Sequence, residues 1–147
     1  MENIQLRQMN EGDIQAVARL EQKLFSAPWS EKSFRNALLS PDNCYLVAVC
    51  GEAVVGYCGL WCSYDCADLC NLAVSEEFRQ RKLGSSLLAQ GMMQAREKGV
   101  RRILLEVRES NTPAIALYSK SGFQKIGIRP GYYSRPTEDG VLMERIL

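Results

Sequence analysis

The sequence predicts an α+β fold (an α/β three-layer arrangement) in which one mixed, mostly antiparallel central sheet carries helices on both faces. Three observations predict it. Apolar residues near the N-terminus recur with helical period at Ile14, Val17, Leu20 and Leu24, the spacing that turns one face of a helix toward a core. From Cys44 onward the period changes, and three apolar runs follow one another with only short turns between them, the pattern of an antiparallel meander. After Val74 strands and helices alternate, which adds a partly parallel unit to the same sheet.

Residues 4–7 form a short strand. Asn10 caps the first helix, since its side chain can accept from an orphan backbone N–H of the first turn. Pro28-Trp29-Ser30 breaks that helix. Ser30 caps a second one carrying Phe34, Ala37 and Leu38, which Pro41-Asp42-Asn43 ends. Cys44 to Cys50 is a strand, Gly51-Glu52 a turn, 53–61 a strand, Ser63-Tyr64-Asp65 a turn and 68–74 a third strand. The long helix spans 84–98, with Leu87, Leu88, Met92 and Ala95 on one face and Gly99 as its stop. Arg102 to Arg108 is a strand. A helix over 113–121 follows, with Pro113 in its first turn and Gly122 just past its end. Strands over 123–128 and 141–146 complete the chain. No repeat, low-complexity stretch or linker divides the 147 residues, so one domain over 1–147 is expected.

Composition narrows the chemistry. The chain is 46% hydrophobic, enough for a sizeable core without disulfides or metal. No window approaches the roughly 18 apolar residues of a membrane span, and Met1-Glu2-Asn3-Ile4-Gln5 lacks the basic-then-apolar order of a secretory signal. A cytoplasmic protein is expected, a monomer with no membrane contact. With 18 basic and 17 acidic residues and a formal charge of +1, direct nucleic-acid binding is not expected. There are no histidines. A Ser-His-Asp triad, a Cys-His dyad and any His-ligated metal are therefore excluded, and acid–base work falls to Glu, Asp, Tyr, Lys, Cys or water.

Four of the six cysteines, Cys58, Cys62, Cys66 and Cys70, recur every fourth residue. The interval is wider than the C-x-x-C pairs of structural zinc sites. Within strands a period of four returns to one face, so the expectation is buried free thiols and no metal. A labile Cys62–Cys66 contact across a turn and a metal module are the alternatives.

Leu72-Ala73-Val74 ends a strand, and Arg79-Gln80-Arg81-Lys82-Leu83-Gly84-Ser85-Ser86 opens the long helix. Successive backbone N–H groups at a helix N-terminus make an anion site, and basic side chains beside it suit a pyrophosphate. A merely basic helix start on the surface is the bland alternative. The segment Arg79-x-x-Lys82-x-Gly84 resembles the acetyl-CoA motif of the GNAT superfamily, Q/R-x-x-G-x-G/A, with Lys82 standing where the first glycine is usual.

In Ile103-Leu104-Leu105-Glu106-Val107 a carboxylate sits inside an apolar strand. Burying an unpaired charge is costly, so Glu106 is either paired, with Arg108 the cation on the same strand face, or functional, or exposed on an edge. Glu109-Ser110-Asn111-Thr112-Pro113 signals a helix start with Asn111 or Thr112 as cap. Tyr118 falls in that helix's second turn, as a core aromatic with its hydroxyl at the rim or as a functional group. Several stretches together resemble the ribosomal-protein-alanine N-acetyltransferases (RimI) within the GNAT superfamily: Leu105-Glu106-Val107-Arg108-Glu109-Ser110-Asn111, then Ala114-Ile115-Ala116-Leu117-Tyr118, Gly122-Phe123, the early Pro28-Trp29-Ser30-Glu31-Lys32-Ser33-Phe34, and Tyr132-Tyr133 with Glu138-Asp139 and Met143 behind it.

That resemblance implies a GNAT-like fold and acetyl-CoA as cosubstrate, with the N-terminal segment of a ribosomal protein as acceptor. It implies Glu106 as general base, through water, and Tyr118 as general acid to the CoA thiolate. It implies that the backbone of Leu72, Ala73 and Val74 holds the acetyl and pantetheine part. Gln80, Arg81, Lys82, Leu83, Gly84 and Ser85 would hold the pyrophosphate, and Asn111 the pantetheine arm. Trp29, Tyr132 and Tyr133, the last two in a C-terminal loop, would line the acceptor site. The competing readings are acetylation of a lysine or a small amine, and a non-catalytic acetyl-CoA-binding domain.

Overall fold

Among the described residues seven strands form one sheet: β1 (Ile4–Gln8), β2 (Cys44–Cys50), β3 (Ala53–Ser63), β4 (Cys66–Val74), β5 (Arg102–Arg108), β6 (Gln124–Tyr133) and β7 (Glu138–Ile146). In this computed structural model, which describes residues 3–147, their order is β1-β2-β3-β4-β5-β7-β6. β4 and β5 are parallel, and the other neighbours are antiparallel. Among the described residues the α-helices are α1 (Ile14–Leu24), α2 (Glu31–Leu39), α3 (Leu83–Glu97) and α4 (Thr112–Lys120). The mixed, mostly antiparallel sheet expected from the sequence is thus present.

The helices divide between the two faces. Ile14, Val17 and Ala18 of α1 and Phe34 and Ala37 of α2 pack on Tyr45, Val47 and Tyr57. On the other face Leu83, Leu87, Leu88 and Ala95 of α3 join Leu46, Cys58, Leu60 and Ile103, and Ala114, Ile115 and Tyr118 of α4 pack against the same cluster. Strand alternation explains the split, because successive side chains of one strand point to opposite faces. The helix starts follow local chemistry. The Ser30 hydroxyl accepts from the Ser33 N–H at 3.2 Å, and the Asn111 side chain accepts from the Ala114 N–H at 3.3 Å. Gly99 and Gly122, with φ of 96° and 93°, supply the left-handed residues that end α3 and α4.

Two irregularities create the site. In β4, Gly59 pairs with Asn71 while Leu60 pairs with Leu69, so Cys70 is an extra residue, a β-bulge. Further along, β4 and β5 pair only from Cys66↔Arg102 to Asp68↔Leu104. Past that point the two strands diverge, and each has one main-chain edge without a sheet partner among the described residues.

Three sequence expectations are corrected. Tyr132 and Tyr133 are not in a loop but in β6, which runs on from 128 to 133. Pro130 and Gly131 mimic a loop signal, yet β6 is an edge strand with a register shift between Arg129 and Tyr133, and edges and bulges tolerate proline. The evenly spaced cysteines do not share a face. Cys58 and Cys62 enter the core beneath α3, whereas Cys70 lines a cleft on the surface, because the turn at Tyr64-Asp65 and the bulge break the alternation. All six are free thiols, and the Cys62 thiol donates to the Leu60 carbonyl at 3.8 Å and has no bond to Cys66. The third correction, at Glu106, belongs to the site.

Candidate active site

Glu106 and Tyr118 reach the divergence of β4 and β5 from opposite faces of the sheet. On β5, Ile103, Leu105 and Val107 point into the α3-side core, so Glu106 between them faces the α1–α2 side. Tyr118 comes from α4, on the α3 side. Both line one cleft of about 220 Å³ together with Leu72, Asn111 and Tyr133. A neighbouring hollow of about 520 Å³ holds Trp29, Tyr132 and Tyr133, and the two share Phe25, Cys70 and Arg108.

Glu106 is not paired with Arg108. Arg108 donates instead to the carbonyls of Ser134 and Pro136, both at 2.9 Å, and its guanidinium lies 4.6 Å from the Tyr133 ring centre. The cation at Glu106 is Arg129 of β6, with Nε 3.2 Å from Oε1. Arg129 is two positions along from Gly127, which stands in the Glu106–Leu142–Gly127 row across the sheet, so its side chain lies on the same face. The negative charge of the carboxylate also reaches Tyr132 and pushes that phenol above its ordinary pKa. Oε2 is buried and without a hydrogen-bond partner among the described residues. Tyr118 is pushed up by burial, so its hydroxyl stays protonated and is a proton donor, not an acceptor, at neutral pH.

Asn71 was missed from the sequence, although Leu69-Cys70-Asn71-Leu72 carries the same signal as Glu106, a polar residue inside an apolar run. It is 3% exposed. Its Oδ1 accepts from the Tyr45 hydroxyl at 3.0 Å, and its Nδ2 is the second buried polar atom of this cleft without a partner among the described residues. Glu21 of α1 was missed as well. It is 5% exposed, and it accepts from the Tyr57 hydroxyl at 2.8 Å and the Trp29 N–H at 3.0 Å. Glu21 thereby fixes the Pro28-Trp29-Ser30 segment against the sheet, where the Trp29 ring lies 5.2 Å from Phe34 and 6.4 Å from Tyr45.

The basic turn lies outside both hollows, beyond the end of β4. Gln80 and Lys82 adopt left-handed backbone, φ 64° and 60°, and Lys82 is the N-cap of α3. The position expected to hold glycine thus keeps a glycine-like conformation with a lysine in it. The first N–H groups of α3, at Leu83, Gly84 and Ser85, precede its first helical hydrogen bond, from the Ser86 N–H to the Lys82 carbonyl at 3.0 Å. A Cβ at Gly84 would lie 3.4 Å from Leu117 and 3.9 Å from Val74, so this turn abuts both β4 and α4. Arg79 braces the strand end, donating to the Val74 carbonyl at 3.2 Å.

The acetyltransferase (GNAT) family model matches residues 14–123. The chain belongs to that family. This acetyltransferase is 40% identical over 139 residues, 94% of its length and 92% of the relative's, to a Bacillus subtilis (strain 168) protein named as a candidate ribosomal protein bS18-alanine N-acetyltransferase. It is 34% identical to the ribosomal protein bS18-alanine N-acetyltransferase of Salmonella typhimurium (strain LT2), with 89% of each chain covered. Its fold superposes on the crystal structure of the ribosomal-protein-S18-alanine N-acetyltransferase from Escherichia coli with a TM-score of 0.89 and 29% identity, covering 98% of this chain and 94% of that one.

Proposed function

We propose that this acetyltransferase, as one domain over residues 1–147, transfers the acetyl group of acetyl-CoA to the N-terminal alanine amine of ribosomal protein bS18. The observation that carries the reading is the pair of groups across the β4–β5 divergence, a buried carboxylate oxygen of Glu106 with no hydrogen-bond partner among the described residues and a protonated Tyr118 hydroxyl in one cleft. The name of the relatives supplies the acceptor.

The chain's main-chain donors fit acetyl-CoA. The orphan N–H groups at the start of α3, beside Arg81 and Lys82, suit its pyrophosphate. The open edge of β4 at Leu72, Ala73 and Val74 suits the amide groups of the pantetheine arm, with Asn111 at the same cleft. Bound acetyl-CoA supplies a thioester already activated for attack. Glu106 draws a proton from the amine through Oε2 and an intervening water. Since an N-terminal amine has a pKa near 8, a weak base suffices. As the C–N bond forms and the C–S bond breaks, Tyr118 gives its proton to the departing sulfur, and the net proton passes from amine to thiol. No covalent enzyme intermediate is needed, which agrees with a chain that has no histidine to activate a nucleophile. Most of the acceleration comes from holding amine and thioester together.

Glu106→Gln and Tyr118→Phe should each lower kcat about tenfold or more while acetyl-CoA still binds, measured by peptide acetylation and by titration calorimetry. Undiminished turnover in both variants would refute the assigned acid and base. The acceptor is tested with an Ala-starting basic peptide beside the same peptide with a blocked N-terminus. Equal acetylation of the two would rule out the N-terminal amine.

A further inference from the structure

Two buried polar atoms in the β4–β5 cleft lack partners among the described residues, and they are opposite in kind. Glu106 Oε2 accepts and Asn71 Nδ2 donates. They stand on the two strands that diverge, and on one face of the sheet. Asn71 is turned to the α1–α2 side, where Tyr45 holds its Oδ1, and Glu106 faces the same side because its β5 neighbours Leu105 and Val107 do not. Tyr118 comes from the other face. The sulfur that Tyr118 protonates therefore lies toward α4, and Glu106 and Asn71 flank the amine.

We propose that Asn71 determines specificity by donating from Nδ2 to the carbonyl oxygen of the acceptor's first residue, while Glu106 Oε2 receives its α-amine. The inference rests on the reading above, that an amine is acetylated in this cleft. A buried donor without a partner is costly and rare, so Nδ2 calls for an acceptor that arrives with the substrate. In an α-amino terminus the first amine and first carbonyl are two bonds apart along the backbone, so one can meet the acceptor and the other the donor of the same cleft. A lysine side chain has its amine on four methylenes and offers no carbonyl nearby, so it would leave Nδ2 unpaired. The pair would thus distinguish a chain terminus from an internal lysine by its backbone alone, whatever the first side chain.

The bulge makes this geometry. Asn71, Gly59 and Tyr45 form one row across β4, β3 and β2. A Cβ at Gly59 would lie 2.1 Å from Cε2 of Tyr45. The absent side chain lets the tyrosine ring cross β3 and bind Oδ1, which leaves Nδ2 to the cleft.

The test compares two acceptors on wild-type protein, Asn71→Ala and Asn71→Asp. One is an Ala-starting peptide, and the other carries a trans-alkene in place of its first peptide bond, so that the first carbonyl oxygen is gone and the shape is kept. Wild type should lose about tenfold to a hundredfold in kcat/KM on the alkene. Each variant should lose a similar factor on the peptide and nothing further on the alkene, with the acetyl-CoA KM unchanged. Equal kcat/KM of wild type for the two acceptors would overturn the assignment, and so would a loss in the variants that is the same for both. The wild-type comparison stands even if a variant fails to fold. If wild type acetylates neither acceptor the substrate reading itself fails. If it acetylates both equally well, only the role of Asn71 falls.

Discussion

Asp13 sits just before α1 as a buried carboxylate, and three donors meet it: Arg7 through two nitrogens at 2.7 and 2.8 Å, and the Asn10 N–H at 2.8 Å. The Arg7 hydrogen bonds hold its carboxyl below the ordinary carboxylate range. A folded-state pKa below the unfolded one gives stability that is fully present above the unfolded value and is lost as pH falls through the folded value. Asp13→Asn should therefore cost about 1.5–3 kcal/mol at pH 7, and its deficit should shrink once pH drops below about 4. Urea unfolding of both proteins at pH 7 and pH 3 reads this directly, and a deficit of equal size at both would show that the ion pair is not its source. At this scale the sequence is legible wherever a polar residue interrupts an apolar run. Glu106 and Asn71 both carry that mark. Arg129 does not, because its place beside Glu106 arises from β7 lying between β5 and β6, a strand order that local pattern does not specify.

At the scale of elements, the row Tyr45–Gly59–Asn71 links three strands by one absent side chain. Gly59→Ala should destabilise the protein by about 1–3 kcal/mol through overpacking and should lower acetylation as well, since the Tyr45 ring must leave Asn71. Thermal unfolding and a peptide assay measure the two effects, and a variant of unchanged stability would mean that the ring is not confined there. Helix starts and stops were readable from Ser30, Asn111, Gly99 and Gly122, because capping is chemistry between near neighbours. The length of β6 was not. Its 124–133 span contains Pro130 and Gly131, and only its position at the sheet edge reconciles them with a strand. There the Gly131 N–H finds the Asp139 side chain at 2.9 Å, and the two tyrosine rings close over Gly140, each 3.3 Å from where a Cβ would stand. The cysteine period misled for a related reason, since one extra residue in β4 reverses the facing of everything beyond it.

Across the whole molecule, acetyl-CoA would touch α3, β4 and the cleft at once. At about one hundred times its dissociation constant a ligand adds about 2.7 kcal/mol to stability, which for a chain of this size raises Tm on the order of 5–10 °C. Acetyl-pantetheine, which lacks the pyrophosphate, should raise it less at equal concentration. If both ligands gave the same shift, the turn at residues 80–85 would have no part in binding. The family and the overall fold were readable because their signals spread along the chain and agree. The site was readable only in part, because much of it is made by how β4 and β5 separate after Asp68 and Leu104. Main-chain amides along such a gap look alike whichever side chains the strands carry. Mutational drift could therefore rewrite Leu72, Ala73 or Val74 with little consequence for a ligand lying there, provided the gap survives. A substitution that zipped β4 and β5 together would silence the protein while leaving every side chain of the site in the gene.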